Sequence, residues 1–461
     1  MSASSARADF TDSGPSWLFA PADPNDLVPS LWPANVSKSG EGMLSVSGVD
    51  AATIAADFGT PTYVVDEDDF RGRARAFAEA FAGADVYYAG KAFLSVATAR
   101  WVDEAGLSLD VCSGGELAVA LRAGFDPGRI AFHGNNKSVA ELTRAVELGV
   151  GRVIVDSFVE IERLAAVAAD YGVRQRVLVR VTAGVEAHTH EYIATAHEDQ
   201  KFGLSVSAGD AWEAMHTIEA AGSLELCGLH SHIGSQIFDT SGFEVAARRV
   251  LGLYARGVRE GMRLGEMDLG GGFGVAYTTQ DDPADPATLA AEMRHIVDHE
   301  CRALDIDVPR LSVEPGRAIA GPSTFTLYEV GTVKSVALDA GASRLYVSVD
   351  GGMSDNVRPA LYDADFSCTL ASRHSTASPA LARVVGKHCE SGDIVVKDEF
   401  LPSDIHPGDF LAVPATGAYC RSLASSYNHV PRPSVVAVHE GRARLIVRRE
   451  TEEDLLRLDV I

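Results

Sequence analysis

From about residue 62, short β-branched runs alternate with longer Ala- and Leu-rich amphipathic segments, which is the pattern of consecutive βα units. The candidate strands are 63–66, 86–89, 108–111, 129–133, 152–156, 176–181, 226–231, 266–269 and 310–313. About eight such units over roughly 250 residues is the size of a (β/α)8 TIM barrel. Periodicity alone also allows a doubly wound sheet, but the number of units favours the barrel.

Beyond about residue 322 the helical segments end, and short strands separated by turns follow. Before the barrel, a short helix is predicted over residues 51–58. We therefore predict an N-terminal segment (1–61) that packs with the β domain, a cofactor-binding barrel (62–322) and a β domain (323–461). The β domain would then be discontinuous in sequence.

Charge and composition exclude several classes of partner for this chain of 461 residues. Forty basic and 64 acidic residues give a formal net charge of −24, so phosphate is repelled over most of the surface. We predict neither a nucleic-acid nor a membrane partner. The chain shows no signal-peptide pattern and no apolar run of membrane-spanning length, so we expect a cytoplasmic location. Six scattered cysteines are expected to be reduced thiols.

Lys91 directly follows the candidate strand 86–89. A lysine in such a place is most often a solvated surface residue. In a TIM barrel, however, the carboxyl ends of the strands build the active site, and a partly desolvated lysine can form a Schiff base with an aldehyde cofactor. We therefore predict that Lys91 is catalytic.

Two glycine-containing turns also follow candidate strands. The string Gly270-Gly-Gly-Phe-Gly274 lacks Cβ atoms over three positions, so that its N–H groups can approach a phosphate. The string Glu314-Pro-Gly-Arg317 adds a carboxylate and a cation. Either turn alone could be a simple tight loop, but both stand at strand ends.

His230 and His232 end a further strand, on one face of it, and this spacing would also suit a metal. Because the following Gly-Ser fits a phosphate turn and no carboxylate is adjacent in sequence, we predict no metal. A flat imidazole stacked on a flat cofactor ring is the favoured use for one of them. The polar loop before Lys201 contains His188, His190 and His197. We interpret this loop as a solvated lid.

Taken together, these strings resemble the fold-type III pyridoxal-phosphate decarboxylases, with a close match to the diaminopimelate decarboxylases in their actinobacterial form. The resemblance runs from about Pro33 to the C-terminus. It includes Tyr88-Ala-Gly-Lys91, Asp110-Val-Cys-Ser-Gly-Gly-Glu-Leu117, His133-Gly-Asn-Asn-Lys-Ser138, His230–Gln236, Asp350-Gly-Gly-Met-Ser-Asp-Asn356, Arg358-Pro-Ala-Leu-Tyr362 and Cys389-Glu-Ser-Gly-Asp393. It implies a TIM barrel with a discontinuous C-terminal β domain, and pyridoxal 5'-phosphate as cofactor. The implied reaction is decarboxylation of meso-2,6-diaminopimelate to L-lysine and carbon dioxide, the last step of lysine biosynthesis.

The resemblance also implies roles for the cofactor-binding residues. Lys91 would hold the cofactor as a Schiff base, and His232, also counted as catalytic, would stack on the pyridine ring. Glu314 would pair with the pyridine nitrogen, because an anion that keeps this nitrogen protonated makes the ring a better electron sink. The other implied cofactor-binding residues are Asp110, Ser235, Gly270, Gly271, Gly272, Gly316, Arg317 and Tyr419.

For the substrate, the resemblance implies a site shared between the subunits of a homodimer. Cys389 would donate a proton to the decarboxylated carbon, and with Glu390 it would reach the neighbouring subunit's site. An arginine offers a planar fork to the distal carboxylate of the substrate, while Glu390 would meet the distal ammonium. The implied substrate-binding residues are Arg317, Arg358, Tyr362, Glu390 and Tyr419.

Two alternatives stay open at this point. One is decarboxylation of ornithine or arginine, which lack a distal carboxylate and would leave the arginines unpaired. The other is a non-catalytic homologue that binds pyridoxal phosphate. Such a homologue would be expected to have lost Lys91 or Cys389, and both are present.

Overall fold

The computed structural model of the chain describes residues 14–184, 201–338 and 342–460. The chain divides into two compact units. The unit that we call the β unit comprises Met1–Asp68, Ala276–Asp281 and Pro322–Ile461. The second, the barrel unit, comprises Asp69–Val275 and Asp282–Gly321. The β unit is therefore assembled from separate parts of the sequence.

The first part of the β unit contains a small antiparallel sheet and one short helix. The elements are strands β1 (Val36–Lys38), β2 (Leu44–Val46) and β3 (Val49–Asp50), helix α1 (Ala51–Phe58) and strand β4 (Thr62–Asp66). Helix α1 occupies the predicted residues and ends at Gly59, whose φ of 72° a glycine adopts without steric cost.

The barrel unit has parallel strands with helices between them. Its strands are β5 (Asp85–Ala89), β6 (Ser108–Val111), β7 (Ile130–Phe132), β8 (Arg152–Val155), β9 (Gln175–Thr182), β10 (Leu204–Ser205), β11 (Leu224–His230), β12 (Glu266–Asp268) and β13 (Arg310–Val313). Its helices are α2 (Glu67–Ala80), α3 (Val96–Glu104), α4 (Gly114–Ala123), α5 (Val139–Leu148), α6 (Phe158–Asp170), α7 (Asp210–Ala220), α8 (Ser241–Arg259), α9 (Pro286–Leu304) and α10 (Arg317–Ala320).

Eight of these strands close into a barrel. The order is β5-β6-β7-β8-β9-β11-β12-β13, and β13 pairs with β5 to complete the circle, while β10 lies beside β9. Strands such as β7 and β8 read as continuous apolar runs because parallel strands are covered on both faces. Serine caps start several of the helices, for example the capping box of Ser138 and Glu141 at α5. The predicted TIM barrel is confirmed.

The second part of the β unit carries most of its sheet. Its strands are β14 (Thr324–Ala337), β15 (Ser343–Val349), β16 (Thr369–Leu370), β17 (Pro379–Val385), β18 (Ile394–Pro402), β19 (Phe410–Pro414), β20 (Ser434–His439) and β21 (Arg442–Val447), and its helices are α11 (Arg358–Tyr362) and α12 (Glu452–Leu456). The sheet order is β18-β17-β15-β14-β4-β20-β21, and β19 pairs with β14 and β16. The predicted β architecture is confirmed. No helix within the described ranges is long and apolar enough to cross a membrane.

Strand β4 differs from the sequence prediction, which placed its residues in the barrel. It pairs antiparallel with β14 and parallel with β20, and so belongs to the sheet of the β unit. All of its residues are buried, as in a barrel strand, so its apolar pattern does not distinguish the two sheets. The strand that precedes Lys91, β5, is therefore the first barrel strand and not the second.

Candidate active site

Polar residues meet at one end of the barrel because parallel strands share a common carboxyl end. Lys91 lies just after β5, Asp110 near the end of β6, His133 just after β7, His230 at the end of β11 and Glu314 just after β13. Four of these side chains are buried, whereas Lys91 is exposed. Within the described residues, Lys91 is therefore accessible to solvent, and its catalytic role stays a prediction.

Glu314 is the centre of the buried group, with 5% of its surface exposed. Its Oε1 lies 3.1 Å from Nε2 of His133 and 3.2 Å from Nε2 of His230. Both contacts are within ion-pair distance, although neither has the alignment of a hydrogen bond. Burial alone would raise the pKa of Glu314, but the two imidazoles outweigh it and hold the pKa well below its usual range. Glu314 is therefore an ionised carboxylate at neutral pH.

Two further carboxyl groups, Asp110 and Asp268, are buried beside Glu314. Burial raises the pKa of Asp110 to about 6, and the attraction of His133 opposes this rise. Burial, followed by repulsion from Glu314, raises the pKa of Asp268 well above its usual range. Oδ1 of Asp268 accepts the N–H of Gly270 at 2.7 Å, which fixes the start of the glycine loop. Of these three buried carboxyl groups, Glu314 is therefore the one whose pKa is lowered.

His133 and Asp268 were not among the predicted site residues. A signal for His133 was present, since it ends the candidate strand 129–133 and opens the string His133–Ser138. Asp268 lies within a candidate strand, where an acidic residue would ordinarily face solvent.

His133, His230 and Glu314 offer ligand atoms that lie within 4.8 Å of one another, a spacing that a metal ion could also use. The pair that the sequence analysis weighed for a metal, His230 and His232, is not this group. His232 instead contacts the glycine loop, and the spacing alone does not argue for a metal over an organic cation at Glu314.

The loop Gly270–Gly272 approaches other backbone segments too closely for side chains. A Cβ on Gly271 would lie 2.1 Å from the carbonyl oxygen of Glu314, and one on Gly272 would lie 2.2 Å from that of Gly234. Gly270 and Gly272 also have φ values of 71° and 99°. The three glycines therefore allow this loop to pack closely against the backbone of Glu314 and Gly234, which side chains at these positions would prevent.

A cation and a hydroxyl are joined next to this loop in the barrel unit. Nη2 of Arg317 donates to Oγ of Ser235 at 2.8 Å, and Arg317 is buried. Gly316 precedes this arginine, and a Cβ there would lie 2.8 Å from Cβ of Ala89. A fixed guanidinium beside a hydroxyl suits an anionic ligand.

His232 is held as a neutral ring. Its Nδ1 accepts the N–H of Gly271 at 3.2 Å, so that the proton of the neutral imidazole is on Nε2. Burial, followed by the positive charges of Lys91 and Arg180, holds the pKa of His232 well below its usual range. A neutral, oriented imidazole is suited to stack on an aromatic ring.

In the β unit, Arg358 is buried among aromatic rings. Its guanidinium carbon lies 4.6 Å from the ring centre of Tyr277, 5.6 Å from that of Phe366 and 6.0 Å from that of Tyr419. Nη1 of Arg358 is buried and has no hydrogen-bond partner among the described residues. A desolvated donor of this kind is costly unless a ligand completes it.

The other predicted residues of the β unit lie on its surface segments. Tyr362 is half-buried at the end of α11, and Tyr419 has a positive φ of 63°. Cys389 and Glu390 are exposed in the turn between β17 and β18. The predicted site residues thus form two sets, one in each unit. His188, His190 and His197 lie outside the described residues, and their interpretation as a lid stays a prediction.

A sequence model of the family described as "Pyridoxal-dependent decarboxylase, pyridoxal binding domain" matches residues 67–321. A diaminopimelate decarboxylase of Mycobacterium tuberculosis is 58% identical over 440 residues, which cover 94% of this chain and 98% of that protein. One from Corynebacterium efficiens is 52% identical over 438 residues, with 95% of each chain covered.

Solved structures agree with these matches. The crystal structure of a diaminopimelate decarboxylase from M. jannaschii is similar with a TM-score of 0.86 and 30% identity, over 93% of this chain and 98% of that one. The enzyme from Helicobacter pylori, crystallised with L-lysine, has a TM-score of 0.80 and 30% identity, over 88% and 98% of the two chains.

Proposed function

Because the chain belongs to the pyridoxal-dependent decarboxylases, and within them to the diaminopimelate decarboxylase family, we propose that it converts meso-2,6-diaminopimelate to L-lysine and carbon dioxide with pyridoxal 5'-phosphate. The observation that carries the proposal is the ionised, buried Glu314. An anion in this place would keep the pyridine nitrogen of the cofactor protonated, which makes the ring a better electron sink for decarboxylation.

The residues of the barrel unit fit this cofactor. The Arg317–Ser235 pair would supply a cation and a hydroxyl to the phosphate, beside the closely packed loop Gly270–Gly272. The neutral ring of His232 supplies a flat surface for the pyridine. Bound pyridoxal phosphate supplies an aldehyde and an electron-withdrawing ring that accepts the electron pair left when carbon dioxide departs.

Lys91 and Cys389 act on the reacting groups. The amine of Lys91 would hold the cofactor through its aldehyde until a substrate amine replaces it. The bond between the reacting carbon and its carboxylate then breaks, and carbon dioxide leaves. The thiol of Cys389 returns a proton to that carbon, which converts one amino-acid end of the substrate into the ε-aminomethyl end of lysine.

Arg358 favours diaminopimelate over ornithine or arginine. Its buried guanidinium lacks a partner at Nη1 among the described residues, and a distal carboxylate would complete it. Ornithine and arginine carry no such group and would bring a cation towards a buried cation. The distal amino-acid end of diaminopimelate is the part that survives as the α-amino acid of lysine, so Glu390 and Tyr362 are assigned to the same end.

We further propose that two copies form a homodimer in which Cys389 and Glu390 of one subunit complete the barrel site of the other. The exposure of Cys389 and Glu390 supports this. Catalytic groups have to face an enclosed substrate, and in the single chain these two side chains face solvent. The exposure of Lys91 supports it in the same way. We also propose a cytoplasmic location.

The reaction is tested by adding purified protein and pyridoxal phosphate to meso-diaminopimelate, with carbon dioxide trapped and lysine measured by chromatography. Equal amounts of carbon dioxide and L-lysine are expected, with little release from ornithine or arginine. Faster release from ornithine would contradict the assigned substrate, and a protein that binds the cofactor but releases no carbon dioxide would be a non-catalytic homologue.

The shared site is tested by mixing Lys91→Ala and Cys389→Ala subunits, each nearly inactive alone. Half of randomly paired dimers are mixed, and each mixed dimer has one intact site, so roughly a quarter of wild-type activity should return. Subunit exchange is checked by mass spectrometry. Mixed dimers without activity would mean that both residues serve one site from one chain.

A further inference from the structure

The turn that carries Cys389 is built around the side chain of Asp393, which is buried. Oδ2 of Asp393 accepts the backbone N–H of His388 at 2.7 Å, and Oδ1 accepts that of Met353 at 2.6 Å. A Cβ on Gly386 would lie 2.3 Å from Oδ2, so the backbone closes tightly on this carboxylate. The base of the turn is therefore rigid up to His388, one residue before Cys389.

A second set of contacts reaches Cys389 itself. Oδ1 of Asn428 accepts the backbone N–H of Cys389 at 3.3 Å. The same oxygen lies 3.2 Å from Nδ1 of His388. Nε2 of His388 lies 2.8 Å from Oγ of Ser354, and both His388 and Ser354 are buried.

These contacts fix the direction of each hydrogen bond. An amide oxygen only accepts, so the proton of a neutral His388 is on Nδ1 and points to Asn428. Nε2 then accepts the hydroxyl proton of Ser354. The result is a continuous series of hydrogen bonds from Ser354 through His388 to Oδ1 of Asn428. The backbone N–H of Cys389 donates to the same oxygen.

We infer that Asn428 is a positioning residue for Cys389, with its carboxamide oxygen fixing the backbone of the proton donor while His388 and Ser354 fix the carboxamide. The inference rests on the proposed function, in which Cys389 delivers a proton to the decarboxylated carbon. Without Asn428, the turn would still be held at Asp393, whose N–H donates to the carbonyl oxygen of Glu390 at 3.2 Å, but the backbone N–H of Cys389 would lose its acceptor. An exposed thiol on a loosened turn is less often in line with the carbon that it protonates.

The backbone of Asn428 decides which variants are informative. Its φ of 51° is left-handed, where Asn, Asp and Gly are tolerated and most other residues are strained. Asn428→Gly removes the acceptor without adding strain, and Asn428→Asp keeps an acceptor at the same place. Ser426→Ala is a matched control on the same segment, since no side-chain hydrogen bond of Ser426 is found within the described residues.

Kinetics give the first test, with Km compared against kcat. Asn428→Gly should lower kcat about tenfold, the factor that corresponds to the loss of ~1.4 kcal/mol of hydrogen bonding, and should change Km little. Asn428→Asp should recover most of this loss, and Ser426→Ala should behave as wild type. In a double-mutant cycle, Asn428→Gly should cost almost nothing when added to Cys389→Ala, because it acts through that thiol. Equal costs in both backgrounds would overturn the inference.

A readout without catalysis separates this inference from the proposed function. Cys389 and Cys112 are both exposed in the single chain, so alkylation of each by iodoacetamide can be followed by mass spectrometry in cofactor-free protein at a dilution where light scattering shows monomers. Asn428→Asp places a carboxylate next to Cys389 and disfavours its thiolate, so alkylation of Cys389 should slow at fixed pH while that of Cys112 does not. An unchanged rate of Cys389 alkylation would overturn the positioning inference even if the enzyme is active. A slowed rate of alkylation in a protein without decarboxylase activity would overturn the proposed function alone.

Discussion

Replacing Arg358 with lysine tests whether this residue recognises the distal carboxylate of the substrate. Arg358 is 3% exposed, and its guanidinium is enclosed by Tyr277, Phe366 and Tyr419. Lysine keeps the positive charge and can keep contact with the rings, but it replaces a planar fork by a single ammonium. The change therefore removes bidentate binding and leaves the charge.

The size of the effect follows from what is lost. A hydrogen bond to a charged group is worth ~1.5–3 kcal/mol, and lysine loses one of the two parallel bonds to the carboxylate. That loss corresponds to a rise of about 10- to 150-fold in Km, with a small change in kcat because the reacting end of the substrate is untouched. The folded protein should be retained, since the side chain remains cationic and long enough to fill the site.

Three ligands make the assay specific: diaminopimelate as substrate, and L-lysine and cadaverine as inhibitors. Lysine retains the distal amino-acid end, whereas cadaverine lacks its carboxylate. Arg358→Lys should therefore weaken diaminopimelate and lysine by similar factors and leave cadaverine unchanged. Arg383→Lys is the matched control, because Arg383 also lies over an aromatic ring, that of Tyr346 at 6.0 Å, but is paired with Asp398 at 3.7 Å. Equal weakening of all three ligands, or none, would refute the assignment of Arg358.

Three further predictions concern charged groups. Lys91→Ala should abolish the cofactor absorbance and nearly all activity, and borohydride-trapped cofactor on another lysine would contradict this. Glu314→Gln should retain the cofactor but lower kcat by about 100-fold or more, measured as carbon dioxide release, because an amide cannot hold the pyridine proton; an unchanged rate would refute the electron-sink argument. Burial raises the pKa of Asp355 to about 7, so the folded state binds this proton more tightly than the unfolded state, and the free energy of unfolding should fall as the pH rises from about 4 to 7. Asp355→Asn should remove that fall in urea titrations across this range, and parallel curves for the two proteins would count against it.

The barrel could be predicted because its apolar runs and amphipathic segments repeat with the period of βα units. Strand β4 could not be placed, because a fully buried strand has the same sequence pattern in either sheet. Its partners β14 and β20 are distant in sequence, and pairing over such separations leaves no local signal. For the same reason, the order of the strands in the β unit could not be predicted from the sequence.

The strings around Lys91, the glycine loop and Glu314 pointed to the right end of the barrel, because strand ends are visible in the sequence. The partners of these residues were less visible. Asn428 contributes through a side-chain oxygen and a left-handed backbone, in a segment without regular periodicity. Asp268 belongs to the site because it is buried, and the sequence of a strand does not show whether a single acidic residue in it is buried or exposed.

The charge on Glu314 shows why such partners matter as much as the catalytic residue itself. A carboxyl group buried alone is driven towards its neutral form, and a neutral acid could not keep the pyridine nitrogen protonated. The pKa of Asp268, buried beside Glu314, is raised well above its usual range by burial and then by repulsion from Glu314. Glu314 differs from it through the two imidazoles of His133 and His230, at 3.1 and 3.2 Å. Burial opposes the charged form of both carboxyl groups, and the pKa of Glu314 is nevertheless lowered because two other strands place imidazoles beside it.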